Sequence, residues 1–385
     1  MPTMPPAGSP AEAPAEPPDV VVVALSARAL VAAARRAGRR PAAIDLFADQ
    51  DTRQLAAPCI RLPADTLRLE AGALLDALAR PELRGLPLVC GTGFEEDPAL
   101  LERVAEDRPL LGNGADVVAR VKDPFQFAAA LDRLGIPHPP VARTLDGRAG
   151  EHLLKRIGGS GGGHIAPAPA AMPAGPGWYV QRRLEGHAVS VLFLADGQRA
   201  AVVGLSRQWA SPTAESPWRY GGAAGPWPCP KGLARTVAGM MDRLAATFRL
   251  VGLNSADFLL NRQGFHLLEI NPRPGATLDV FDRGPMPPLF ALHVEACAGR
   301  LPDRLPALSG CRAAAVVYAD APTRIDPGPR WPDWTANRPA TPATLAAGQP
   351  VCTVLGDGAG IRAARRDAER RQRHWTASAI KELRP

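Results

Sequence analysis

Several signals of common protein classes are missing from this sequence. The six cysteines are scattered and no two form a CxxC pair, so neither a disulfide framework nor a zinc site is expected, and a reducing compartment fits. No apolar run approaches the ~20 residues that a membrane span needs. The net charge of +7 is not concentrated in a basic stripe with interleaved aromatics. We therefore expect a cytoplasmic protein with no nucleic-acid and no membrane partner.

Familiar catalytic motifs are also absent. No GxGxxG follows the first predicted strand, no GK[ST] closes a Walker A loop, and no motif suggests Ser-His-Asp or Cys-His catalysis. The chain has only 3 Tyr and few Lys beside abundant Ala, Arg, Gly and Pro. Because this composition is typical of a GC-rich genome, helical periodicity of Ala and Arg is given less weight.

The N-terminal part of the 385-residue chain predicts a parallel sheet. Residues 1–18 contain seven prolines and no apolar h-region, which predicts a disordered tail and not a signal peptide. Strand, helix and strand then follow within thirty residues, a βαβ pattern that implies parallel pairing. The predicted elements are Asp19–Leu25, Ala27–Ala37, Ala42–Phe47, Ala71–Ala79 and Leu86–Cys90. We predict a Rossmann-like domain over 19–117 in a protein of the α/β class.

The composition changes after residue 117. Asp123–Leu134 predicts a helix with Pro124 in its first turn and Gly135 at its end. Short strands are expected from 150 to 270, followed by strand and loop to about 360. Arg362–Trp375 has six arginines and two acidic residues at helical spacing, which predicts a solvent-exposed terminal helix.

A predicted hairpin carries two carboxylates within GLNSADFLLNRQGFHLLEINPRPGATLD (252–279). A three-residue loop closed by Asn261 and Phe265 would end at Gly264 and place Asp257 opposite Glu269. Directly opposed carboxylates repel, so a positive group is expected between them.

The chemistry of this hairpin favours a metal ion. The two-residue period of a strand puts Asn271 on the same face as Glu269. Two carboxylates and one amide oxygen, with no His or Cys, point to Mg²⁺. Arg273 shares that face and would reach a phosphate or an acyl phosphate. The alternative is a surface hairpin, which is disfavoured because Asp257 and Glu269 are embedded in apolar sequence.

A glycine-rich segment follows a lysine in LLKRIGGSGGGHI (153–165), where five of the six positions from 158 to 163 are glycine. It would be a flexible linker, or a lid whose backbone N–H groups surround a polyphosphate. The predicted metal hairpin about a hundred residues later favours the lid.

These segments, in this order, resemble the ATP-grasp superfamily. The matching segments are VKDPFQFAAALDRLGIPHP, Lys155 with GGSGGGHI, WYVQRRLEGHAVSVLFLADG and DFLL…LLEINPRPGATLD. The resemblance implies an α+β ATP-grasp domain over 118–300 with a lid subdomain at about 122–182. Residues 301–385 would then be a C-terminal extension that ends in a basic helix.

The N-terminal segments SARALVAAARRAG…IDLFADQDT, CGTGFEEDP and LLGN resemble one branch of that superfamily. It comprises predicted carboligase-like ATP-grasp proteins of archaea and methylotrophs, near the tyramine–glutamate ligase of methanofuran biosynthesis. This resemblance implies methanofuran- or tetrahydromethanopterin-linked one-carbon metabolism.

The resemblance also implies cofactors and residue roles. ATP would bind with one or two Mg²⁺, or with Mn²⁺ instead. The residues implied to bind ATP are Lys122, Lys155, Gly159, Ser160, Gly161, Gly162, Gln181, Arg183, Leu184 and Glu185. Those implied to hold metal are Asp257, Glu269 and Asn271, and those implied to be catalytic are Arg273, Lys155 and Arg207. Many relatives have a ribose-binding acid where this chain has Ala188, so Glu185 takes that role or no residue does.

The implied activity joins a small-molecule carboxylate to an amine through an acyl phosphate, with glutamate as one candidate substrate. Gln208 and Tyr220–Gly222 are further candidates near the substrates, with an ordinary loop as the alternative. A homodimer is the usual expectation. Three other functions stay open: an ATP-dependent carboxylase, for which no biotin-attachment motif is seen, a phosphotransferase, and a non-catalytic ATP-binding regulator.

Overall fold

The computed structural model describes residues 16–64, 67–145, 150–169, 177–328 and 331–383. Most of the predicted disordered tail, residues 1–15, lies outside these ranges. The helices are α1 Arg28–Arg36, α2 Gln50–Leu55, α3 Ala71–Leu78, α4 Pro98–Val104, α5 Ala115–Lys122, α6 Pro124–Leu134, α7 Lys231–Phe248, α8 Leu278–Phe281, α9 Leu289–Cys297 and α10 Ile361–Leu383.

The strands fall into four sheets. They are β1 Val20–Val23, β2 Pro41–Asp45, β3 Cys59–Arg61, β4 Leu88–Cys90, β5 Val141–Ala142, β6 His152–Arg156, β7 Ala166–Pro167, β8 Trp178–Arg182, β9 His187–Asp196, β10 Ala200–Ala210, β11 Tyr220–Gly225, β12 Val251–Asn261, β13 Gly264–Asn271, β14 Cys311–Tyr318, β15 Thr323–Ile325, β16 Thr335–Ala336, β17 Ala343–Leu345 and β18 Pro350–Gly358.

The N-terminal sheet is parallel, with strand order β3-β2-β1-β4. All four residues of β1 are fully buried because helices and the central sheet cover both faces, as expected for a parallel strand. Helix α1 ends before Gly38, whose φ of 75° lies in the left-handed region. The predicted βαβ unit and the α/β class are confirmed.

The central sheet has eight antiparallel strands in the order β13-β12-β9-β10-β11-β14-β18-β16. Helix α7 packs against one face, where Val237, Met241 and Leu244 are fully buried with Phe258 of β12. The expectation that short strands dominate 150–270 missed a helix and two long strands. An 18-residue helix lies within that range, and β10 and β12 each have 11 residues.

The C-terminal residues complete the same sheet. Strand β14 pairs with β11, and β18 pairs with β14, so the sheet runs without a break from the hairpin to the C-terminal region. The terminal helix α10 is not fully solvent-exposed as expected. Its Ala364 and Ala368 are fully buried against β18 and β14, and Trp375 lies 4.8 Å from the Trp331 ring centre.

A small sheet, β5-β8-β6-β7, follows helix α6. Asp123 caps α6 by accepting hydrogen bonds from the backbone N–H groups of Phe125 and Gln126, and Gly135 ends it at φ 60°. This sheet carries Lys155 and the glycine-rich segment. In the described ranges, no helix has the length and apolar character to cross a bilayer.

Candidate active site

The two hairpin carboxylates face each other on adjacent strands, as predicted. Asp257 of β12 pairs with Glu269 of β13. The loop is shorter than predicted, because Asn261 pairs with Gly264 and only two residues connect the strands. A register shift beside Asp257 leaves Leu268 as an extra residue, and this β-bulge restores the predicted pairing.

A lysine supplies positive charge at this carboxylate pair. Lys122, the last residue of α5, donates from Nζ to Asn271 Oδ1 at 2.8 Å and lies 3.4 Å from Glu269 Oε2. Asn271 Nδ2 in turn donates to Asp257 Oδ2 at 3.1 Å. The three predicted metal ligands therefore converge, and Lys122 contacts two of them.

The electrostatics of the two carboxylates differ. Burial and the charge of Glu269 raise the pKa of Asp257. Burial acts in the same direction on Glu269, but Lys122, Lys155 and His164 outweigh it and lower the pKa of Glu269. Glu269 therefore carries the negative charge of the pair, and bringing a cation near Asp257 would favour its ionised form.

Lys155 approaches the carboxylates from the small sheet. It lies on β6 opposite Tyr179 of β8, is 5% exposed, and donates from Nζ to Gln181 Oε1 at 3.3 Å. Burial alone would lower the pKa of Lys155, but Tyr179, Glu269 and Asp257 together raise it, so the amine stays protonated. The whole chain has only four lysines, and two of them are in this site.

Arg207 and Gln208 are consecutive residues of β10, so their side chains lie on opposite faces of the sheet. The Gln208 amide donates to Asp257 Oδ1 at 3.1 Å. Arg207 instead lies over the Trp227 ring at 5.7 Å, on the sheet face that carries Val189 and the α7 core. The expectation that Arg207 is catalytic needs correction, because successive side chains of a strand point to opposite faces and Gln208 occupies the carboxylate face.

Arg273 is held by the N-terminal domain. Its Nε donates to Glu95 Oε1 at 2.6 Å, and the Glu95 side chain is 4% exposed. Burial would raise the pKa of Glu95, but Arg273, Lys122 and the Gly93 N–H lower it, so Glu95 is ionised. The guanidinium of Arg273 is thus oriented by a residue from the loop after β4.

The glycine-rich segment is held at both of its ends. Gly158 has φ 74°, and a Cβ there would lie 2.2 Å from the Glu95 carbonyl oxygen. Gly162 has φ 76°, and its Cβ would lie 2.0 Å from the Trp218 carbonyl oxygen. The Tyr220 N–H also donates to the Gly161 carbonyl at 3.0 Å. Both positions require glycine because they combine positive φ with close backbone contact.

A cleft of about 490 Å³, partly open to solvent, lies between the small sheet and the hairpin. Lys122, Glu269, Gln181 and the backbone of Gly158 and Gly159 line it, together with apolar residues of α6. The segment expected to meet adenine and ribose is only partly in this cleft. Gln181 lines it, whereas Arg183 and Glu185 are exposed and Leu184 is half-buried. The Arg183 N–H donates to the Glu151 carbonyl.

The donor set suits a hard cation. The carboxylates of Asp257 and Glu269 and the amide oxygen of Asn271 are the ligand types that Mg²⁺ prefers. In the residues that the structure describes, no three His, Cys, Asp or Glu side chains gather. A Mg²⁺ ion here would therefore complete its coordination with amide, water and substrate oxygens, which is its usual behaviour.

Residues 121–277 match the sequence model of the ATP-grasp domain. The chain contains an ATP-grasp domain. The match includes Lys122, the glycine-rich segment and the whole hairpin, and the predicted ATP-grasp fold is confirmed.

Solved structures share this ATP-grasp architecture over nearly the whole chain. The biotin carboxylase domain dimer of Hydrogenobacter thermophilus 2-oxoglutarate carboxylase, in complex with MgADP, ADP and bicarbonate, is 14% identical with a TM-score of 0.69. That match covers 96% of this chain and 91% of the other. Biotin carboxylase from Campylobacter jejuni in complex with β-γ-ATP is 14% identical with a TM-score of 0.67, over 95% and 92% of the two chains. At these identities the similarity establishes the fold alone.

Sequence analysis missed several residues of the candidate site. Glu95 and Tyr179 lie in segments that carried the resemblance, yet no spacing rule distinguishes them. Gln208 was not missed, since it was a candidate near the substrates, and strand alternation could have separated it from Arg207. Ser190, which donates to Asp257, sits directly opposite it on β9 and had no signal in the sequence.

Proposed function

We propose that the protein is an ATP- and Mg²⁺-dependent carboxylate–amine ligase that works through an acyl phosphate. One observation carries the proposal: Asp257, Glu269 and Asn271 converge with Lys122 beside a cleft that Glu269, Lys122 and the glycine-rich segment line. The H. thermophilus domain and the C. jejuni enzyme, which share the fold, are described with MgADP and with β-γ-ATP.

The acidic and basic side chains of the site have different proposed roles. Asp257, Glu269 and Asn271 would hold Mg²⁺, which offsets negative charge on the transferred phosphoryl group. Lys155, kept protonated by its neighbours, points at the same place from the opposite sheet. Because Lys122 Nζ contacts Asn271 Oδ1, its ammonium has to turn toward the phosphates when that oxygen binds metal.

The reaction proceeds in two balanced steps. A carboxylate oxygen of the acid attacks the γ-phosphorus of ATP, the bond to the bridging oxygen breaks, and ADP leaves. The amine nitrogen then attacks the acyl carbon, phosphate leaves, and the proton lost by the amine passes to solvent. Arg273 lies beside the hairpin, where it stabilises charge on the phosphoryl oxygens, and the glycine-rich segment excludes water that would hydrolyse the acyl phosphate.

The test separates activation from transfer. The protein is incubated with ATP, Mg²⁺ and a panel of carboxylic acids, with hydroxylamine present to trap acyl phosphates as hydroxamates. Hydroxamate and phosphate should form with at least one acid, and Glu269→Ala should abolish both. An amide product identified by mass should then replace the hydroxamate when the correct amine is added. Phosphate transfer to an acceptor without any hydroxamate would identify a phosphotransferase instead.

A carboxylase is the second candidate, because the solved structures named above are biotin carboxylases and match over almost the full chain. In that case bicarbonate is the acid and a biotin carrier accepts the carboxyl group. Incorporation of labelled bicarbonate into free biotin, with no hydroxamate from organic acids, would favour it. Binding of ATP with no turnover under any condition would indicate a regulator.

The substrate proposal follows from the N-terminal segments that resemble methanofuran-pathway relatives. We propose glutamate as the first acid to test and tyramine as the first amine, with a role in one-carbon cofactor metabolism. The proposed assembly is a homodimer, since the H. thermophilus domain is described as a dimer. Light scattering on the purified protein tests the assembly independently of activity.

A further inference from the structure

A second, larger cavity lies between the N-terminal sheet and the C-terminal half of the central sheet, with a volume of about 1830 Å³ including its solvent-open part. We call it the interdomain cavity. One wall comes from residues that follow each of the four parallel strands: Ser26, Asp49, Ala64 and Thr92. The carboxyl ends of parallel strands, on either side of the point where strand order reverses, are where open α/β sheets bind ligands.

The other wall is mostly apolar and belongs to the central sheet. It includes Val316 and Tyr318 of β14 and Cys352 of β18. Leu67, which also lines the cavity, is an apolar side chain that is 65% exposed. The walls therefore favour a ligand with an apolar body.

The interdomain cavity adjoins the active site. Pro274 and Gly275, which directly follow Arg273, line it, and a Cβ at Gly275 would lie 3.3 Å from Arg273 Nη1. A ligand in this cavity can thus approach the group that faces the phosphoryl transfer.

Tyr220 connects the cavity to the glycine-rich segment. Its side chain lines the cavity, and its backbone N–H donates to the Gly161 carbonyl. Burial raises the pKa of Tyr220, as do the charges of Asp257 in the hairpin and Asp279 in the cavity wall. The Tyr318 hydroxyl donates to the Tyr220 carbonyl at 2.6 Å and fixes this link.

Two cations line the cavity, Arg28 and Arg61, and within the described ranges neither forms an ion pair with Asp49. Arg61 donates from Nε to the Leu46 carbonyl at 3.1 Å, and its charge acts on Asp45. Arg28 is paired in a two-point contact with Asp279. Asp49 is 6% exposed and, although it precedes α2, its side chain makes no capping hydrogen bond. Within the described ranges it forms no ion pair, and its side chain accepts one long hydrogen bond, 3.5 Å from Asn337 Nδ2.

We propose that the interdomain cavity binds the acceptor of the reaction, and that this acceptor is a primary amine with an apolar body whose ammonium group is recognised by Asp49. That it is the acceptor rests on the proposed ligase function; that the cavity binds apolar amines rests on the cavity alone. An anionic ligand would meet an unpaired carboxylate at this wall, whereas an ammonium would supply the missing partner.

The test measures binding to the full-length protein by calorimetry without nucleotide, at pH 8. The probes are hexylamine, its neutral analogue hexan-1-ol, its anionic analogue hexanoate, and ethylamine. Hexylamine should bind about 100-fold more tightly than ethylamine, because it buries four more methylene groups. It should bind about 10-fold more tightly than hexan-1-ol, because of the charge-assisted contact, and hexanoate should bind most weakly.

Two variants locate the site. Asp49→Asn should remove the roughly 10-fold preference for the amine over the alcohol and leave hexan-1-ol binding unchanged. Val316→Phe, which fills the apolar wall, should weaken amine and alcohol alike. Asp303→Asn, an exposed carboxylate, is the matched control. Tighter binding of hexanoate than of hexylamine, or an unchanged amine preference in a folded Asp49→Asn protein, would overturn the proposal.

The outcome separates this proposal from the proposed function. Hexylamine binding that depends on Asp49, combined with no hydroxamate from any acid, would leave the cavity assignment standing and refute the ligase. Hydroxamate formation without any binding of the hexyl compounds would support the ligase function and refute the assignment of the cavity.

Discussion

Arg273 and Glu95 form a 2.6 Å ion pair that joins the end of the metal-site hairpin to the loop after β4, across 178 positions of sequence. The Gly93 N–H donates to the second oxygen of Glu95 at 2.8 Å. Both carboxylate oxygens are therefore used, one to hold its own loop and one to hold the guanidinium. The ion pair fixes the N-terminal domain to the proposed phosphoryl-transfer site.

Glu95→Gln should lower kcat for acid-dependent phosphate release about 10- to 100-fold, which is the value of a hydrogen bond to a charged group. The KM for ATP should change little, because the Glu95 side chain contacts Arg273 and the Gly93 N–H, and the substitution leaves the Glu95 backbone beside Gly158 unchanged. Glu102→Gln, on the exposed face of α4, is the control and should behave as wild type. A rise in KM with kcat unchanged would contradict a role in positioning Arg273.

Glu269→Ala should reduce ATP turnover more than ~100-fold, because it removes a proposed metal ligand and leaves Lys122 without its carboxylate. Raising Mg²⁺ to saturation should not restore activity. Gln263→Ala, at the exposed tip of the same hairpin, should keep full turnover, and circular dichroism should show both variants folded. Full activity of Glu269→Ala at high Mg²⁺ would refute the assigned site.

Gln208→Ala should slow turnover about 10-fold, since it removes one hydrogen bond that orients Asp257. Arg207→Ala should leave turnover near wild type and lower stability slightly through lost packing on Trp227. Comparing kcat and thermal midpoints of the two variants tests which side chain of this adjacent pair faces the carboxylates. The opposite ranking would restore Arg207 as the catalytic candidate.

Gly162→Ala should lower activity at least about 10-fold, because a side chain at positive φ adds strain of a few kcal/mol to a steric clash with the Trp218 carbonyl. Gly163→Ala is the matched control, since no atom lies within 4 Å of its Cβ position. For each variant we would measure the KM for ATP and the degree to which ATP protects the glycine-rich segment from protease. Equal effects of the two substitutions would show that the segment does not pack as described.

Asp49→Asn should stabilise the protein much more at pH 8 than at pH 4.5. Burial, with the charges of Asp45 and Asp51, raises the pKa of Asp49 to about 7 from 3.8, against the weaker opposing effects of Asn337 and Arg28. The folded state therefore binds the extra proton between these values, and stability falls as the pH rises through this window. The gain at pH 8 is up to about 4 kcal/mol in the free energy of unfolding, measured by urea titration. An equal gain at both pH values would show that Asp49 is not the titrating group.

The pairing of Asp257 with Glu269 was predicted correctly from the sequence, but partly because two errors cancelled. The alternation around Asp257 and Glu269 identified the two strands and the shared face. The loop was predicted one residue too long, and the bulge at Leu268 cancelled that error. Bulges follow from tertiary fit of the strand, which no local pattern encodes.

Helix α7 was missed although its signal was present. Val237, Met241, Leu244 and Phe248 recur at helical spacing and are all buried. The prediction of short strands from 150 to 270 did not use this periodicity. The Glu95–Arg273 contact had no comparable signal, because distant partners are set by how domains pack and not by spacing along the chain.

The unbroken central sheet has a practical consequence for engineering. Since β14 and β18, which wall the interdomain cavity, hydrogen-bond through β11, β10 and β9 to the strand that carries Asp257, the distance between the two pockets is built into one rigid framework. Exchanging the C-terminal third with that of another enzyme would disrupt the backbone hydrogen bonds between β11 and β14. Redesign of acceptor choice should instead replace individual wall side chains and keep every strand in place.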